Sequence, residues 1–445
     1  MPVSIALFTQ DLRLHDNPVL RAALRDGEEV VPLFVLDERL AATGFAVPNR
    51  AAFLADSLAD LDTALRRLGG RLVLRRGETV AQSARLAELT GAVSVHVAAG
   101  VSAFAQRREA ALREALGGRL RVHDAVLTAL APGAVTPAGK DHYAVFTPYL
   151  RAWQRAQRRE PVAAPRAVRV PGSVRSEALP AGRPDSPGLP PGGESAGRRL
   201  WSSWRPERYE DDHDDLAGDA TSRLSPYLHF GCLSATELTT PTRRRGGAGA
   251  QAFVRQLVWR DFHHQVLAAR PRCAWADYRP RGDRWHRDTA EIEAWRAGRT
   301  GYPIVDAGMR QLAHEGWMHN RARLLTASFL TKTLYQDWRI GAEHFLALLV
   351  DGDVANNQLN WQWVAGTGTD TRPNRVLNPL AQARRFDPDG AYVRRWVPEL
   401  AHIPGPAVHR PWQLRQRPDY PAPIVDLAVG RFQHARSIGP TGRVG

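Results

Sequence analysis

Residues 1 to about 130 alternate short aliphatic and β-branched runs with amphipathic stretches. The runs at 4–9, 30–37, 72–75, 94–98 and 120–123 predict strands, and 17–25, 49–68, 78–89 and 102–116 predict helices. Strand and helix in strict alternation predict a parallel, doubly wound α/β sheet. No GxGxxG follows the first strand, so an ordinary dinucleotide site is not expected there. From 155 to 199 the chain is rich in Pro, Gly, Ala and Arg and lacks hydrophobic periodicity, which reads as a linker. Beyond residue 200 the apolar positions recur at helical spacing, notably over 250–269, 289–297, 304–315, 320–334 and 342–349. The expected organisation is therefore an α/β domain over 1–130, an interdomain linker over 131–200, and a larger all-α domain over 201–445.

Composition narrows the function classes. With 445 residues and 43% hydrophobic content the chain can fill more than one core. The formal net charge is +14, carried almost wholly by arginine, since Lys140 and Lys332 are the only lysines. Surplus arginine suits a polyanionic partner, because the guanidinium fork holds phosphates bidentately. No apolar run approaches the ~18 residues of a spanning helix and no signal peptide opens the chain, so a cytoplasmic protein is expected. Cys232 and Cys273 are far apart and the histidines lack ligand spacing. No metal or cysteine-ligated cluster is expected.

The segment 351–370, DGDVANNQLNWQWVAGTGTD, is the most informative in the chain. If 354–364 is helical, Asp353, Asn357 and Trp361 fall at i, i+4 and i+8 on one face. An acid, an amide and an indole in line suit a flat ligand with polar edges. Taken alone, a tryptophan-rich core helix with capping acids would explain the same residues.

The surrounding motifs favour the site. TSRLSPYLHFG (221–231), WRDF (259–262), TGYPIVDAGMRQL (300–312), GWMHNRAR (316–323), DGDVANN, WQW, TGTD and NPLAQ (378–382) stand in the order found in the photolyase/cryptochrome flavoproteins. The N-terminal half also fits, from SIALFTQDLRLHDNP onward. The chain thus resembles that family over nearly its whole length, most closely its class I cyclobutane pyrimidine dimer photolyases.

The resemblance implies non-covalently bound FAD in the helical domain. The family's FAD positions fall on Tyr209, Thr221, Ser222, Arg223, Leu224, Ser225, Arg323, Asp351, Gly352, Asp353 and Asn357. Hydroxyls of Thr221, Ser222 and Ser225 can donate to a pyrophosphate, Arg323 is expected to pair with Asp351 beside the flavin ring, and Asn357 matches the residue facing flavin N5. Trp361, Trp338 and Trp285 match an electron path from flavin to surface. Trp259 and Trp363 match indoles flanking a flipped dimer, and Gln256, Asn320, Arg321, Arg375 and Gln382 match DNA- or lesion-contacting positions. The α/β domain is implied to hold an antenna, with 8-hydroxy-5-deazaflavin expected over methenyltetrahydrofolate.

Three positions depart from the family pattern. Its dimer-binding glutamate is Gln256, a methionine that touches the dimer is Leu324, and the usual acidic antenna position is Gly100. The two histidines of (6-4) photolyases would fall at Asn320 and Leu324, so that activity is not expected. The resulting expectation is a monomeric, light-driven lyase that splits pyrimidine dimers in damaged DNA. The rival is a blue-light cryptochrome without repair activity, against which Asn357 and the short tail after residue 426 argue.

Overall fold

The computed structural model describes residues 1–432; the tail at 433–445 lies outside the described residues. The N-terminal domain is a five-stranded, all-parallel sheet in the order β3-β2-β1-β4-β5, formed by β1 (Val3–Phe8), β2 (Glu29–Asp37), β3 (Val73–Gly77), β4 (Ser94–Ala98) and β5 (Leu120–His123). Its connections are α1 (Pro18–Asp26), α2 (Glu38–Ala41), α3 (Pro48–Arg67), α4 (Thr79–Thr90) and α5 (Ala103–Leu116). Every residue of β1 is buried, as expected of a central strand covered on both faces. The caps explain the helix starts: Asn17 accepts from the Leu20 N–H and Ser102 from the Ala105 N–H.

The remaining helices are α6 (Phe146–Arg155), α7 (Glu194–Ser203), α8 (Tyr209–Asp212), α9 (Ser225–His229), α10 (Ala235–Arg245), α11 (Ala248–Ala269), α12 (Thr289–Arg296), α13 (Pro303–Glu315), α14 (Asn320–Ser328), α15 (Trp338–Leu348), α16 (Val354–Ala365), α17 (Pro379–Phe386) and α18 (Ala391–Trp396). The helix expected over 320–334 is present as one continuous helical run, but its last part is wound more loosely. α14 ends at Ser328, and a π-turn at Phe329–Thr333 carries the buried Lys332, whose ammonium donates to the carbonyls of Ala365 and Pro373. α10 was not legible because Pro241 interrupts it and its buried side consists largely of threonines.

The stretch expected as a linker over 131–200 contains α6 and the start of α7; between them 156–193 lacks helix and strand, and that part is a strap rather than a flexible tether. Val168 N–H bonds the Leu68 carbonyl, Arg169 O accepts from Val30 N–H, Glu177 N–H reaches Leu74 O, and Gly188 N–H reaches His314 O. Val168, Val174 and Ser186 are buried. These pairings satisfy its backbone as a strand ladder would.

The α/β and helical parts meet closely. Leu12 N–H bonds Phe230 O, and the buried Arg13 guanidinium donates to Gly231 O, Asp16 O and Val126 O. A Cβ at Gly231, whose φ is +67°, would lie 1.8 Å from the Gln10 carbonyl oxygen, so both conformation and contact require glycine. At the other end of the contact, α3 clamps the C-terminal turn of α15: Asn49 Nδ2 donates to Leu348 O at 2.6 Å, and Arg50 to Leu346 O and Leu349 O.

Buried histidines set the pH response of this fold. Burial lowers His229, His263, His319 and His344 to about 4 each. Between that value and the ordinary histidine value near 6.5, the unfolded chain binds more protons than the folded one, so stability rises with pH. Thermal unfolding is expected to show a nearly constant Tm between about pH 7 and 8 and a progressive fall from about pH 6.5 toward 4. A Tm that rises on acidification over that window would contradict neutral buried rings.

Candidate functional site

The segment 351–370 forms α16 as its spacing requires. Asp353 caps the helix, accepting from Asn356 N–H at 2.8 Å, and Gly366 closes it in the left-handed region. Asp353, Asn357 and Trp361 do share one face.

Around the helix start the charges form a dense layer. Arg323 Nη2 meets Asp351 Oδ2 at 2.8 Å, as expected, while its Nε is held by Met318 O. Arg50, lowered to about 10 by burial against the opposing pull of Asp351, adds a second cation. Burial would raise the Asp353 carboxyl, but His264 at 3.2 Å, with Arg260 and His229, outweighs it and holds Asp353 well below the usual carboxylate range. Gly352 is constrained: a Cβ there would come within 2.6 Å of the Arg50 guanidinium.

Two buried polar atoms here have no partner among the described residues, Asp351 Oδ1 and Thr221 Oγ1. Such orphans are costly unless a ligand completes them. Both Asn357 amide hydrogens are used, by Ala342 O at 3.0 Å and Gln358 Oε1 at 2.8 Å, so the side chain presents its carbonyl oxygen as an acceptor. These donors and acceptors fit FAD, with hydroxyls for phosphate and an ion pair and an amide for the polar edge of a flavin. Leu224 is buried beneath them, and Tyr209 packs edge-on to Trp204 and Phe253. Two members of the expected set already have partners, and the Ser225 hydroxyl keeps its O–H to donate. Ser225 is exposed and its Oγ accepts from Trp317 Nε1, and the Arg223 guanidinium is engaged by Asp219 and Glu315 over the Trp317 ring. Ser222 lies half-buried in the same loop.

The three tryptophans run from interior to surface. Trp361 and Trp338 are buried in one apolar cluster, against which the half-buried Trp285 packs. Gly341 lets the Trp361 indole rest on α15, since a Cβ would lie 2.2 Å from the ring. Trp338 Nε1 donates to Asp277 at 2.8 Å and carries the Arg339 guanidinium 4.7 Å from its ring centre.

On α11, Gln256, Trp259 and His263 stand at i, i+3 and i+7, with Gln256 exposed and Trp259 half-buried. His263 Nδ1 lies 3.0 Å from Asn356 Oδ1 on α16, seven residues before Trp363, so the two helices are registered side by side. Sequence reasoning missed Phe146, whose ring lies flat on Trp259 with centroids 3.6 Å apart and planes 3° off parallel. Phe146 thus occupies one face of the indole. Arg375 is exposed and reaches toward the Trp363 ring, 5.9 Å from its centre; Asn320 is exposed and Gln382 half-buried. Arg321, expected at a DNA- or lesion-contacting position, already has a carboxylate partner. Its guanidinium is bound to both oxygens of Asp214 and covers Phe386, so its charge is already neutralised.

His286, Asp288 and Glu291 could reach one ion, but Asp288 caps α12 through the Glu291 N–H and Glu291 is held by Arg431 and Gln336. An open cleft of about 390 Å³ on α11, lined by Arg243, Gln251 and Arg255, contains none of the expected site residues.

Comparison with known proteins agrees with this geometry. Residues 4–166 match the DNA photolyase family model, and 253–438 match the FAD binding domain of DNA photolyase. The chain is 64% identical to a deoxyribodipyrimidine photo-lyase of Streptomyces griseus, covering 99% of this chain and 100% of that one. Its structure is similar to a class III photolyase from Agrobacterium tumefaciens (TM-score 0.90, 33% identity, 98% and 97% covered). It is equally similar to a cryptochrome from Synechocystis (TM-score 0.90, 29% identity, 98% and 99% covered). The chain therefore belongs to the photolyase/cryptochrome family.

Proposed function

We propose that this chain is a deoxyribodipyrimidine photo-lyase, a light-driven enzyme that splits cyclobutane pyrimidine dimers in damaged DNA. The observation that carries the reading is the pairing of an FAD-type layer at the start of α16 with two half-buried indoles, Trp259 and Trp363, on adjoining helices. When bound, reduced FAD supplies on excitation the electron that opens the dimer and takes it back afterward. With FAD bound, Arg323 and Arg50 would offset the negative charge of the reduced flavin. Asn357 offers an acceptor oxygen and no acidic proton, so the ring is not protonated from that side. Trp361, Trp338 and Trp285 carry an electron inward when the cofactor has become oxidised. Trp259, stiffened by Phe146, and Trp363 grip the flipped dimer by stacking, at ~1–3 kcal/mol per base. Asn320, Arg375 and Gln382 flank that grip.

Gln256 replaces a carboxylic acid with an amide that can donate to a dimer carbonyl but cannot share a proton with the dimer radical anion. Substituting Gln256→Glu is expected to raise the repair quantum yield on dimer-containing single-stranded DNA; unchanged yield would separate position 256 from the dimer. A signalling cryptochrome is the second reading, favoured by the Synechocystis likeness. FAD that copurifies without any preference for dimer-containing over intact DNA would support it.

For the antenna we propose 8-hydroxy-5-deazaflavin, bound in the α/β domain. A Cβ at Gly100 would lie 2.4 Å from the Ala105 side chain, so the acid usual at this position has no room here. Among the described residues, no helix is long and apolar enough to cross a membrane. We place the enzyme in the cytoplasm as a monomer.

A further inference from the structure

Lys332 is 1% exposed in a chain whose fixed side-chain cations are otherwise arginines, the exposed Lys140 apart. Burying an ammonium is costly unless its hydrogen bonds to water are replaced. Here two main-chain carbonyls, Ala365 O and Pro373 O, each accept from Nζ at 2.8 Å, and the centre of the Phe432 ring lies 3.6 Å away. The π-turn at Phe329–Thr333, a winding common at functional positions, carries this side chain.

The two carbonyls are not neighbours in the chain. Ala365 is the last residue of α16, two after Trp363, and Pro373 lies two before the exposed Arg375. One ammonium therefore ties together the two ends of the segment that separates Trp363 from Arg375. Gly366 lets those ends approach: its φ is +84°, and a Cβ there would stand 2.4 Å from Pro373 O. The middle of the segment is held from the loop before α12. Arg279 N–H bonds Thr367 O at 2.7 Å, Arg279 Nη1 reaches Asp370 O and Arg281 Nη1 reaches Gly366 O, the last two at 3.3 Å. Cations against the terminal carbonyls of α16 also suit the negative end of the helix dipole. The result is an Arg375 guanidinium held 5.9 Å from the centre of the Trp363 ring.

We propose that Lys332 is a positioning residue for the dimer grip, which fixes Trp363 and Arg375 against each other before DNA arrives. This deepens the reading of Trp363 and Arg375 as groups that meet the damaged strand, and it rests on that reading. A ligand that meets a loop already tied in place loses less conformational entropy than one that must order it. Lysine suits the task because one compact nitrogen can donate to both carbonyls, whereas a guanidinium spreads its donors over a rigid fork.

Lys332→Met, which keeps an apolar stem without donors, and Lys332→Gln, which keeps two N–H donors without the charge, test this in the FAD-loaded protein. Binding is measured to a single-stranded oligothymidylate carrying one cyclobutane dimer and to the same strand intact, beside repair quantum yield at saturating dimer, FAD photoreduction and hydrogen–deuterium exchange over 363–375. In Lys332→Met the affinity for the dimer strand is expected to fall about tenfold, the loss that a buried acceptor left unpaired would bring. Affinity for the intact strand changes less, quantum yield and photoreduction hold, and exchange quickens at 366–375. Lys332→Gln loses less than Lys332→Met. A folded Lys332→Met that binds the dimer strand as tightly as the parent overturns the proposal. So does one in which Tm, photoreduction and binding all fall together, the mark of a structural role alone. The parent itself supplies a test that needs no variant to fold: its amides at 366–375 exchange slowly before DNA is added, and fast exchange there overturns the proposal. A parent with no preference for the dimer strand overturns the grip, and this use of Lys332 with it.

Discussion

Trp338→Phe is expected to abolish most photoreduction of oxidised FAD. Trp338 is buried in the same apolar cluster as Trp361, and Trp285 packs on that cluster from the surface side. Phenylalanine keeps the apolar ring but is far harder to oxidise, so the inner and outer indoles lose the carrier between them. Losing the indole N–H also leaves Asp277 without one donor, but Arg339 still meets that carboxylate at 2.8 Å, so folding is little affected. Repair by chemically reduced protein follows a different route, from FAD to dimer and back, and continues. Photoreduction at the parent rate in Trp338→Phe would show that electrons enter by another path.

The second large effect is on stability and cofactor retention. Asp353→Ala removes the cap of α16, worth about 1 kcal/mol. It also strips the partner from His264, whose side chain is 3% exposed, and breaking a buried pair by deleting one member costs about 3–5 kcal/mol. A Tm lower by about 5 °C is expected for a chain of 445 residues, together with loss of copurifying FAD. Asp353→Asn, which can still cap, should recover part of the stability but not the pairing with His264. Equal Tm and full FAD content in Asp353→Ala would refute the role given to this carboxylate. Because Asp353 is held well below the ordinary carboxylate value, its contribution is present above the unfolded pKa and is lost as pH falls through the folded one.

What could be read from the sequence follows the range of the interactions involved. The five strands and most helices were legible because their periodicity and caps are local, and α16 was legible because one face of a single helix carries acid, amide and indole. Arg323 with Asp351 required the family resemblance, since 28 residues separate them. The clamp of Asn49 and Arg50 on residues 346–349 joins positions about 300 apart, and no local pattern announces it. The same holds for Phe146 on Trp259, for the Asp214 that claims Arg321, and for the Asp219 and Glu315 that claim Arg223. An arginine in a DNA-binding motif looks available in sequence, and only the fold shows whether a carboxylate already holds it. The strap at 155–199 misled for a related reason. Its composition is that of a tether, but its backbone groups are paired with the sheet edge and with α13.

Dimer splitting is read directly from the ultraviolet absorbance of thymine in a single-stranded oligothymidylate carrying cyclobutane dimers. With reduced FAD bound and under near-ultraviolet or blue light, the account predicts that absorbance returns in the parent protein, that darkness prevents it, and that Gln256→Glu returns it faster. If the parent and Gln256→Glu both bind the oligonucleotide and hold reduced FAD, yet neither restores any absorbance under illumination, the protein is not a repair enzyme.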